Sequence, residues 1–361
     1  MRKTPLILLI ATSLIGTAAV AVVLTRPKAE PIVEAVQTPS YSPSPSASPT
    51  PSASPTPKPV PKPTPKRIAV SRAPAPKPLT ADIAAFRGVA TWVDAYDYGT
   101  MDPPTAARAM AVRGVRALFL QTGRYALPGT WKDETEMAKW IRAAHASGLK
   151  VVGWYLPGYG NMTRDVNRTT AIATFRTSDG QGFDGLGVDI EDKCEIRGST
   201  CDKIKPSPAL TEAAWNAAVV THLTRVRAAV GPTFAIASIV PAPLGMAIRP
   251  EHWTGFPWRG IPGPSDVLIP MSYWSFRDDC STNKSHCAYG YTRGDIDEVR
   301  RLTGDPSIAI HSAGGIADNV TTAEVSDFVR ASRERGAIGG SLYDYATMKE
   351  SYWTPLAALN R

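Results

Sequence analysis

Cysteine and histidine are scarce in this chain, which has four Cys and five His among its 361 residues. The cysteines form two close pairs, Cys194 with Cys201 and Cys280 with Cys287, and neither has the C-x-x-C spacing typical of zinc sites. The histidines are scattered, so no metal site is predicted. Because no Ser-His-Asp order and no phosphate-binding loop stands out, the sequence also predicts no cofactor.

Acidic residues are nearly absent from the first 79 positions, where Glu30 and Glu34 stand against ten of the 40 Lys and Arg residues. The rest of the chain therefore has 30 basic and 30 acidic residues, and the formal charge of +8 belongs to the N-terminal part. A neutral globular part has no electrostatic surface for a polyanion, which argues against nucleic acid as a partner. The basic part could lie along an anionic membrane or wall polymer, although a soluble spacer is the simpler interpretation.

Residues 1–25 have the pattern of an export signal. Arg2 and Lys3 precede an uncharged apolar run from Pro5 to Leu24, which is long enough to span a bilayer. Ala19-Val20-Ala21 also offers a small-x-small cleavage site, so a retained signal-anchor and a cleaved signal peptide both stay open. Either way the remaining chain is expected to be extracytoplasmic, held at the membrane by its N-terminal helix or secreted.

Residues 26–79 are rich in Pro, Ser and Lys and hold 16 of the 33 prolines. Bulky apolar residues are almost absent there, so this segment cannot build a core. Proline biases such a chain toward extended polyproline II, which makes a semi-rigid spacer. We therefore predict a disordered linker that carries the remaining residues away from the membrane.

From residue 80 to 361, short apolar runs alternate with amphipathic stretches of helical length. The predicted strands are Gly88–Val93, Val115–Gln121, Lys150–Leu156, Leu186–Glu191, Phe234–Val240, Val267–Tyr273, Ser307–His311 and Gly339–Tyr343. The predicted helices are Pro104–Val112, Glu134–Ser147, Val166–Phe175, Thr211–Val230, Asp295–Leu302 and Thr322–Arg335. Eight strands joined by helical crossovers pair in parallel and favour closure. The predicted fold class is α/β, a single (β/α)8 TIM barrel, and we expect a monomer.

Polar and aromatic side chains concentrate at the predicted C-terminal ends of these strands, where barrel enzymes carry their reactive groups. The candidates for substrate binding are Trp92, Asp94, Trp154, Tyr155, Trp274, His311 and Asp344. The flat faces of the three Trp rings could stack on pyranose rings. This composition at one rim of the barrel predicts a carbohydrate ligand.

Two carboxylates stand two residues apart at the end of the fourth predicted strand. Asp189 and Glu191 should share one face, while Val188 and Ile190 point toward the helices. Converging carboxylates raise each other's pKa, so that one keeps its proton near neutral pH. Cleavage of a glycosidic bond needs such an acid to protonate the leaving oxygen. A structural ion pair with Arg or Lys residues of the rim is the alternative.

The segment Phe183–Glu191 resembles the strand-four signature of family 18 glycoside hydrolases, the chitinases and their relatives, which reads D-G-x-D-x-D-x-E. Four of its positions match, at Asp184, Gly185, Asp189 and Glu191. Gly187 stands where that family has its middle Asp. Met271-Ser272-Tyr273 is similar to the family's strand-six Met-x-Tyr. Family 25 muramidases also carry Asp-x-Glu at a strand end and are the second choice.

The family 18 resemblance implies Glu191 as the catalytic acid/base. It implies that Asp189 orients the acetamido group that attacks the anomeric carbon, with Tyr273 as its partner. The chain would then be an extracytoplasmic glycosidase for a polysaccharide, such as an N-acetylhexosamine polymer or a cell-wall glycan. Because Gly187 replaces the middle Asp, a non-catalytic chitinase-like lectin is the alternative.

The cysteines agree with an exported protein. An even number of cysteines in an oxidising environment predicts two local disulfides, Cys194–Cys201 and Cys280–Cys287. Each would close a βα loop that borders the candidate site, because Cys194 follows Glu191 and Cys280 follows Tyr273 closely in sequence. Such short staples hold binding loops in shape.

Overall fold

A computed structural model describes residues 81–191, 211–277 and 279–360 with their side chains, and only the backbone of residues 194–197 and 200–203. The predicted signal segment (1–25) and linker (26–79) lie outside the described residues and stay predictions. Of the helices in the described ranges, none combines the length and apolar character needed to cross a membrane.

Eight parallel strands close into a barrel, which confirms the predicted (β/α)8 fold. The ten described strands are β1 (Gly88–Val93), β2 (Ala117–Arg124), β3 (Lys150–Leu156), β4 (Gly185–Asp189), β5 (Cys194–Arg197), β6 (Thr200–Lys203), β7 (Ile236–Pro241), β8 (Val267–Met271), β9 (Ala309–Ile316) and β10 (Gly339–Tyr343). Around the barrel the order is β1-β2-β3-β4-β7-β8-β9-β10, and β10 pairs with β1. The two remaining strands, β5 and β6, form an antiparallel hairpin after β4.

Helices connect the strands and cover the barrel. The described helices are α1 (Pro103–Val112), α2 (Glu134–Ala146), α3 (Met162–Thr174), α4 (Glu212–Val230), α5 (Pro243–Ile248), α6 (Ala288–Thr303), α7 (Thr322–Glu334) and α8 (Trp353–Leu356). Side-chain caps fix several of the helix starts, because the oxygen of the preceding residue accepts a hydrogen bond from a first-turn amide. The capping residues are Asp102, Asp133, Asn161, Thr211 and Thr321.

Helix α6 begins well before the predicted start at Asp295. Its first turns contain Gly290 and Gly294, residues that disfavour a helix when judged by propensity. Both glycines are required by close packing. A Cβ on Gly290 would lie 2.3 Å from the carbonyl oxygen of Lys284, and one on Gly294 would lie 2.7 Å from a methyl carbon of Leu244. Tertiary contact therefore decides this helix start.

The interior of the barrel is a packed core rather than a pore. Phe86, from a short 3-10 turn before β1, lies 5.9 Å from the ring of Phe119. Trp92 stands edge-on to Phe119, with ring centroids 4.8 Å apart, and lies 5.8 Å from Trp154. A second apolar layer, which includes Val188 and Ile190, packs between the barrel and its helices. Chemistry is therefore confined to the mouth of the barrel.

Asp184 lies at the N-terminal end of β4, at the opposite end of the barrel from the mouth. Its carboxylate accepts hydrogen bonds from His145 Nε2 at 2.9 Å, Lys150 Nζ at 2.8 Å and the Val151 amide at 2.8 Å. Burial opposes the charged form, but the hydrogen bonds from His145 and Lys150 lower the pKa of Asp184. The hydrogen bond between His145 and Asp184 also raises the pKa of His145. This aspartate therefore joins α2, β3 and β4.

We expect Asp184→Asn to lower the free energy of unfolding by about 1–3 kcal/mol, because it breaks charge-assisted hydrogen bonds in a half-buried cluster. Because folding raises the pKa of His145, the stability that this residue contributes is fully present below its ordinary pKa of 6.5. That stability is lost as pH rises through the pKa of the folded state. Because folding lowers the pKa of Asp184, the stability that this residue contributes is fully present above its ordinary pKa of 3.8 and is lost in acid. The wild-type advantage in urea unfolding should therefore be larger at pH 5 than at pH 8.

The matched control is Asp327→Asn, which removes an exposed carboxylate that pairs with Arg330 on the same helix. It should change stability little, as exposed pairs do. A loss for Asp184→Asn no larger than that of the control would contradict the structural role of Asp184.

Candidate active site

Strand β4 ends at the mouth of the barrel with Asp189, which is 5% exposed. The predicted alternation is observed, since Val188 and Ile190 belong to the outer apolar layer. The predicted strand is too long, however, because β4 ends at Asp189 rather than at Glu191. Ile190 still donates its amide to Ile239 of β7, at 2.8 Å, and Glu191 is exposed where the chain leaves the barrel. One carboxylate is thus buried and the next is accessible.

Gly187 occupies the position of the middle Asp in the family 18 signature, and a side chain there would be crowded by its neighbours. A Cβ on Gly187 would lie 3.1 Å from Cβ of Trp154 and 3.2 Å from Cδ1 of Ile239. Both distances are shorter than ordinary contact, so Trp154 or Ile239 would have to shift by a few tenths of an ångström to accept a Cβ at this position. The substitution and the packing of this layer therefore agree.

Tyr273 follows β8 and lies among the carboxylates of the mouth. Burial raises the pKa of its phenol well above the ordinary value, and the negative charges of Glu191, Asp189 and Asp344 raise it further. Electrostatic coupling of this kind requires that the groups lie close together. Glu191 and Tyr273 line the same cleft, and Asp189 stands two residues before Glu191 at the end of β4. The phenol stays protonated as a hydrogen-bond donor.

A second group of carboxylates lies on the β1 and β10 side of the mouth. Oxygens of Asp94, Asp97 and Asp344 lie within 4.8 Å of one another, a spacing that could also hold a metal ion. Tyr343 Oη donates to Asp94 Oδ2 at 3.0 Å. Burial and the charges of Asp94 and Asp344 raise the pKa of Asp97 to about 6. Asp94 and Asp344 were predicted, whereas Asp97, in the loop after β1, was missed.

A cleft of about 500 Å³ opens beside Glu191, between the ends of β7 and β8 and helix α5. The lining side chains that matter for chemistry are Glu191, Tyr273, Arg249, Arg277, His252 and Tyr291. A larger groove of about 720 Å³ lies on the outside of the barrel between α1 and α2 and contains none of the predicted site residues. The cleft at Glu191 is therefore the candidate substrate site.

Two predicted substrate-binding aromatics, Tyr155 and Trp274, lie in the outer core instead of the mouth. Tyr155 follows Trp154 on β3 and therefore faces the helices, where its hydroxyl donates to Asp165 at 2.8 Å. Trp274 is 2% exposed and packs on Phe328, with ring centroids 5.5 Å apart. Neither ring presents a face to the cleft, so both are left out of the site.

His311 is also a core residue. Its Nδ1 lies 2.9 Å from the carbonyl oxygen of Phe86 and its Nε2 lies 3.1 Å from Ser341 Oγ. Burial lowers its pKa to about 4, so the ring is neutral. The predicted strand end at His311 was wrong because β9 continues through small residues to Ile316. His311 therefore lies near the start of the strand, far from the mouth.

Trp92 and Trp154 line the floor beneath the mouth. They are 3% and 5% exposed, and Trp92 Nε1 donates to Ser341 Oγ at 2.9 Å. Among the described residues, the most exposed aromatic rings are Tyr96 after β1 and Phe276 after β8, at 62% and 56%, and the sequence analysis missed both. Phe276 borders the cleft at Glu191. A rule that seeks aromatics in the loops, and not only at strand ends, would have found both.

The disulfide Cys280–Cys287 is present and closes the loop between β8 and α6, as predicted. Cys194 and Cys201 lie on the β5–β6 hairpin, whose backbone register pairs Cys194 with Lys203 and Ile196 with Cys201. The side chains of this hairpin are outside the described residues. The bond between Cys194 and Cys201 therefore stays a prediction.

No protein-family model and no curated protein matches this chain. Solved structures do match its fold. A class V chitinase from Pseudomonas fluorescens Pf-5 has a TM-score of 0.53 at 12% identity, over 76% of this chain and 100% of that one. The Bacillus cereus spore cortex-lytic enzyme SleL has a TM-score of 0.54 at 11% identity, over 76% of this chain and 75% of that one. A GH18 chitinase from Cycas revoluta, in complex with allosamidin, has a TM-score of 0.51 at 12% identity, over 75% of this chain and 98% of that one. At these identities the likeness shows the fold alone.

Proposed function

We propose that the barrel is a glycoside hydrolase acting on an N-acetylhexosamine polymer or a cell-wall glycan. The observation that carries this proposal is that Glu191 and Tyr273 line one cleft at the mouth, with Asp189 two residues before Glu191 at the end of β4. Chitinases and a spore cortex-lytic enzyme are among the solved structures that share the fold, and they support the same class of reaction.

Glu191 is the proposed acid/base. It is exposed in the cleft, so its proton can reach the glycosidic oxygen of a bound substrate, which must be protonated as it leaves. Asp189 is buried two residues before it and has an orienting and electrostatic role. In the family 18 mode, Asp189 holds the acetamido group that attacks the anomeric carbon, and Tyr273 donates its hydroxyl to that group.

The carboxylates on the opposite side of the mouth are proposed to bind sugar hydroxyls. Asp94 is partly exposed, and Asp344 is held by the amide of Thr347 at 3.2 Å. Carboxylates accept hydrogen bonds from hydroxyl groups without changing protonation state. A sugar chain that reaches from the cleft across the mouth would then be oriented at both sides of the barrel.

The location proposed for this activity is outside the cytoplasm, with residues 80–361 carried on the linker and the N-terminal segment either anchoring the chain or being removed. Support comes from the disulfide Cys280–Cys287, since disulfides persist in oxidising compartments. The domain is proposed to act as a monomer.

A non-catalytic carbohydrate-binding barrel is the second candidate. It is favoured by the sequence and packing at position 187, where glycine replaces the carboxylate of the family 18 signature and Trp154 and Ile239 crowd the space that a Cβ would take. In that family, this carboxylate couples to its neighbour. A lectin would keep the cleft and the exposed rings without turning over the sugar.

The experiment that separates the two offers chitotetraose, peptidoglycan glycan strands and mannan to the full-length protein. New reducing ends and bound sugar are measured in parallel. We expect reducing ends from at least one N-acetylhexosamine glycan and none from mannan. Binding without new reducing ends would establish the lectin instead. An absence of both binding and turnover would refute the carbohydrate function.

A further inference from the structure

The cleft at Glu191 is rich in positive charge. Arg249, at the end of α5, and Arg277, after the short turn that follows Tyr273, both line it. Within the described parts of the chain, neither guanidinium has a carboxylate at salt-bridge distance, whereas Arg227 elsewhere is paired with Asp266. The positive charge of the cleft is therefore open to a ligand.

One buried acid that interacts electrostatically with Arg277, Asp295, does not form a salt bridge with it. Asp295 is fully buried on α6 and accepts a hydrogen bond from the Leu244 amide at 2.9 Å. Burial raises the pKa of Asp295 to about 7, so the carboxyl group is partly protonated at neutral pH, and the positive charge of Arg277 lowers that pKa only in part. Asp279 also interacts electrostatically with Arg277, but its ion-pair partner is His286.

Arg277 is held in place by Tyr291. Its guanidinium carbon lies 5.5 Å from the centre of the Tyr291 ring, and Tyr291 is 1% exposed. Its Nε is buried and has no hydrogen-bond partner among the described residues. A guanidinium fixed over a ring in this way loses little conformational freedom when it binds an anion.

The opening in front of Arg277 exists because residue 245 is glycine. A Cβ on Gly245 would lie 2.9 Å from the Tyr291 hydroxyl oxygen and 3.7 Å from Arg277 Nη2. The phenol and the guanidinium thus converge on a point where the chain has no side chain. Arg249 acts on the same phenol, since its charge and that of Arg277 both lower the pKa of Tyr291 against the effect of burial.

We propose that this cleft binds a carboxylate carried by the sugar chain, so that the substrate is an anionic glycan whose uronic acid or lactyl ether lies next to the bond at Glu191. Two guanidinium groups and a phenol hydroxyl match the acceptor pattern of a planar carboxylate. Glu191 in the same cleft repels a doubly charged phosphate more than a singly charged carboxylate. The inference deepens the proposed function and rests on it for the position of the scissile bond.

The test measures binding by calorimetry to the full-length protein carrying Glu191→Gln, so that turnover does not intervene. The probes are an N-acetylglucosamine–N-acetylmuramic acid tetrasaccharide, its methyl ester, chitotetraose and a hyaluronan tetrasaccharide. We expect at least one carboxylated probe to bind about 10- to 100-fold more tightly than the neutral probes, in the range of hydrogen bonds to charged groups. The better of the muramic acid and hyaluronan probes identifies the lactyl ether or the uronic acid as the source of the charge.

Adding Arg277→Gln, or in a separate protein Arg249→Gln, should remove most of that preference, measured as the ratio of the affinities for the carboxylated probe and for chitotetraose. Arg293→Gln, an exposed arginine of α6 that pairs with Asp297, is the matched control and should keep the preference. Equal binding of the carboxylated and neutral probes, or no binding of any probe, overturns the inference. If the wild type cleaves chitotetraose without a preference for acid, the inference fails alone. If the preference persists without any cleavage, the proposed hydrolase function fails alone.

Discussion

Glu191→Gln should lower kcat for glycan hydrolysis by about 10²–10⁴-fold, the range expected for loss of a general acid/base. Glu191 stands exposed in the cleft, so the substitution keeps the shape of its wall and removes only the transferable proton. Affinity for the intact oligosaccharide should therefore stay within a few-fold of wild type. Single-turnover rates and equilibrium binding of the same chitotetraose would measure the two effects separately.

The control for this substitution is Glu251→Gln. Glu251 is exposed in the 3-10 turn Pro250–His252, close to the cleft but not among its lining residues. The substitution Glu251→Gln makes the same chemical change as Glu191→Gln in the same region, and it should leave kcat at the wild-type value. If Glu191→Gln turns over substrate as fast as this control, Glu191 has no part in the mechanism.

Asp189→Asn should lower kcat by about 10²–10³-fold, the cost of removing one preorganised group from a reaction centre. The side chain is 5% exposed at the end of β4, and the amide is close in size, so packing is kept and a buried negative charge is lost. A neighbouring negative charge raises the pKa of an acid, so its removal lowers that pKa. The basic limb of the kcat/KM profile, where the acid loses its proton, should therefore move to lower pH.

Asp184→Asn is the matched control, because it makes the same change directly before the first residue of the same strand. Its effect should be on unfolding and not on kcat, when both proteins are compared at a temperature where each is folded. If the two variants lose activity equally, or if the pH profile of Asp189→Asn does not move, Asp189 has no electrostatic role at the mouth.

Local sequence patterns were sufficient for the barrel itself. Three strands, Gly88–Val93, Lys150–Leu156 and Gly339–Tyr343, have the predicted ends, and the first two are largely apolar runs of strand length. The pattern predicted the wrong strand end for β9, where small residues continue the strand. It predicted the wrong start for α6, where glycines lie inside the helix. Both cases depend on contacts with other elements that a local window does not contain.

Local sequence patterns identified only part of the candidate site. Asp189, Glu191 and Tyr273 could be found because a motif and a strand end mark each of them. Asp97, Arg249 and Arg277 stand in loops, where the sequence has no period that says which way a side chain points.

The sequence by itself determined the eightfold alternation, the balanced charge of residues 80–361 and the two acids at the end of β4, because strand and helix periods are local properties. Tertiary structure alone decided which of these residues meet. Closure of the barrel brings Tyr343 within 3.0 Å of Asp94, which is 249 positions earlier in the chain. It also turned Trp154 inward and Tyr155 outward, and it buried His311. Distances of this kind depend on how the whole sheet closes, which no local pattern specifies.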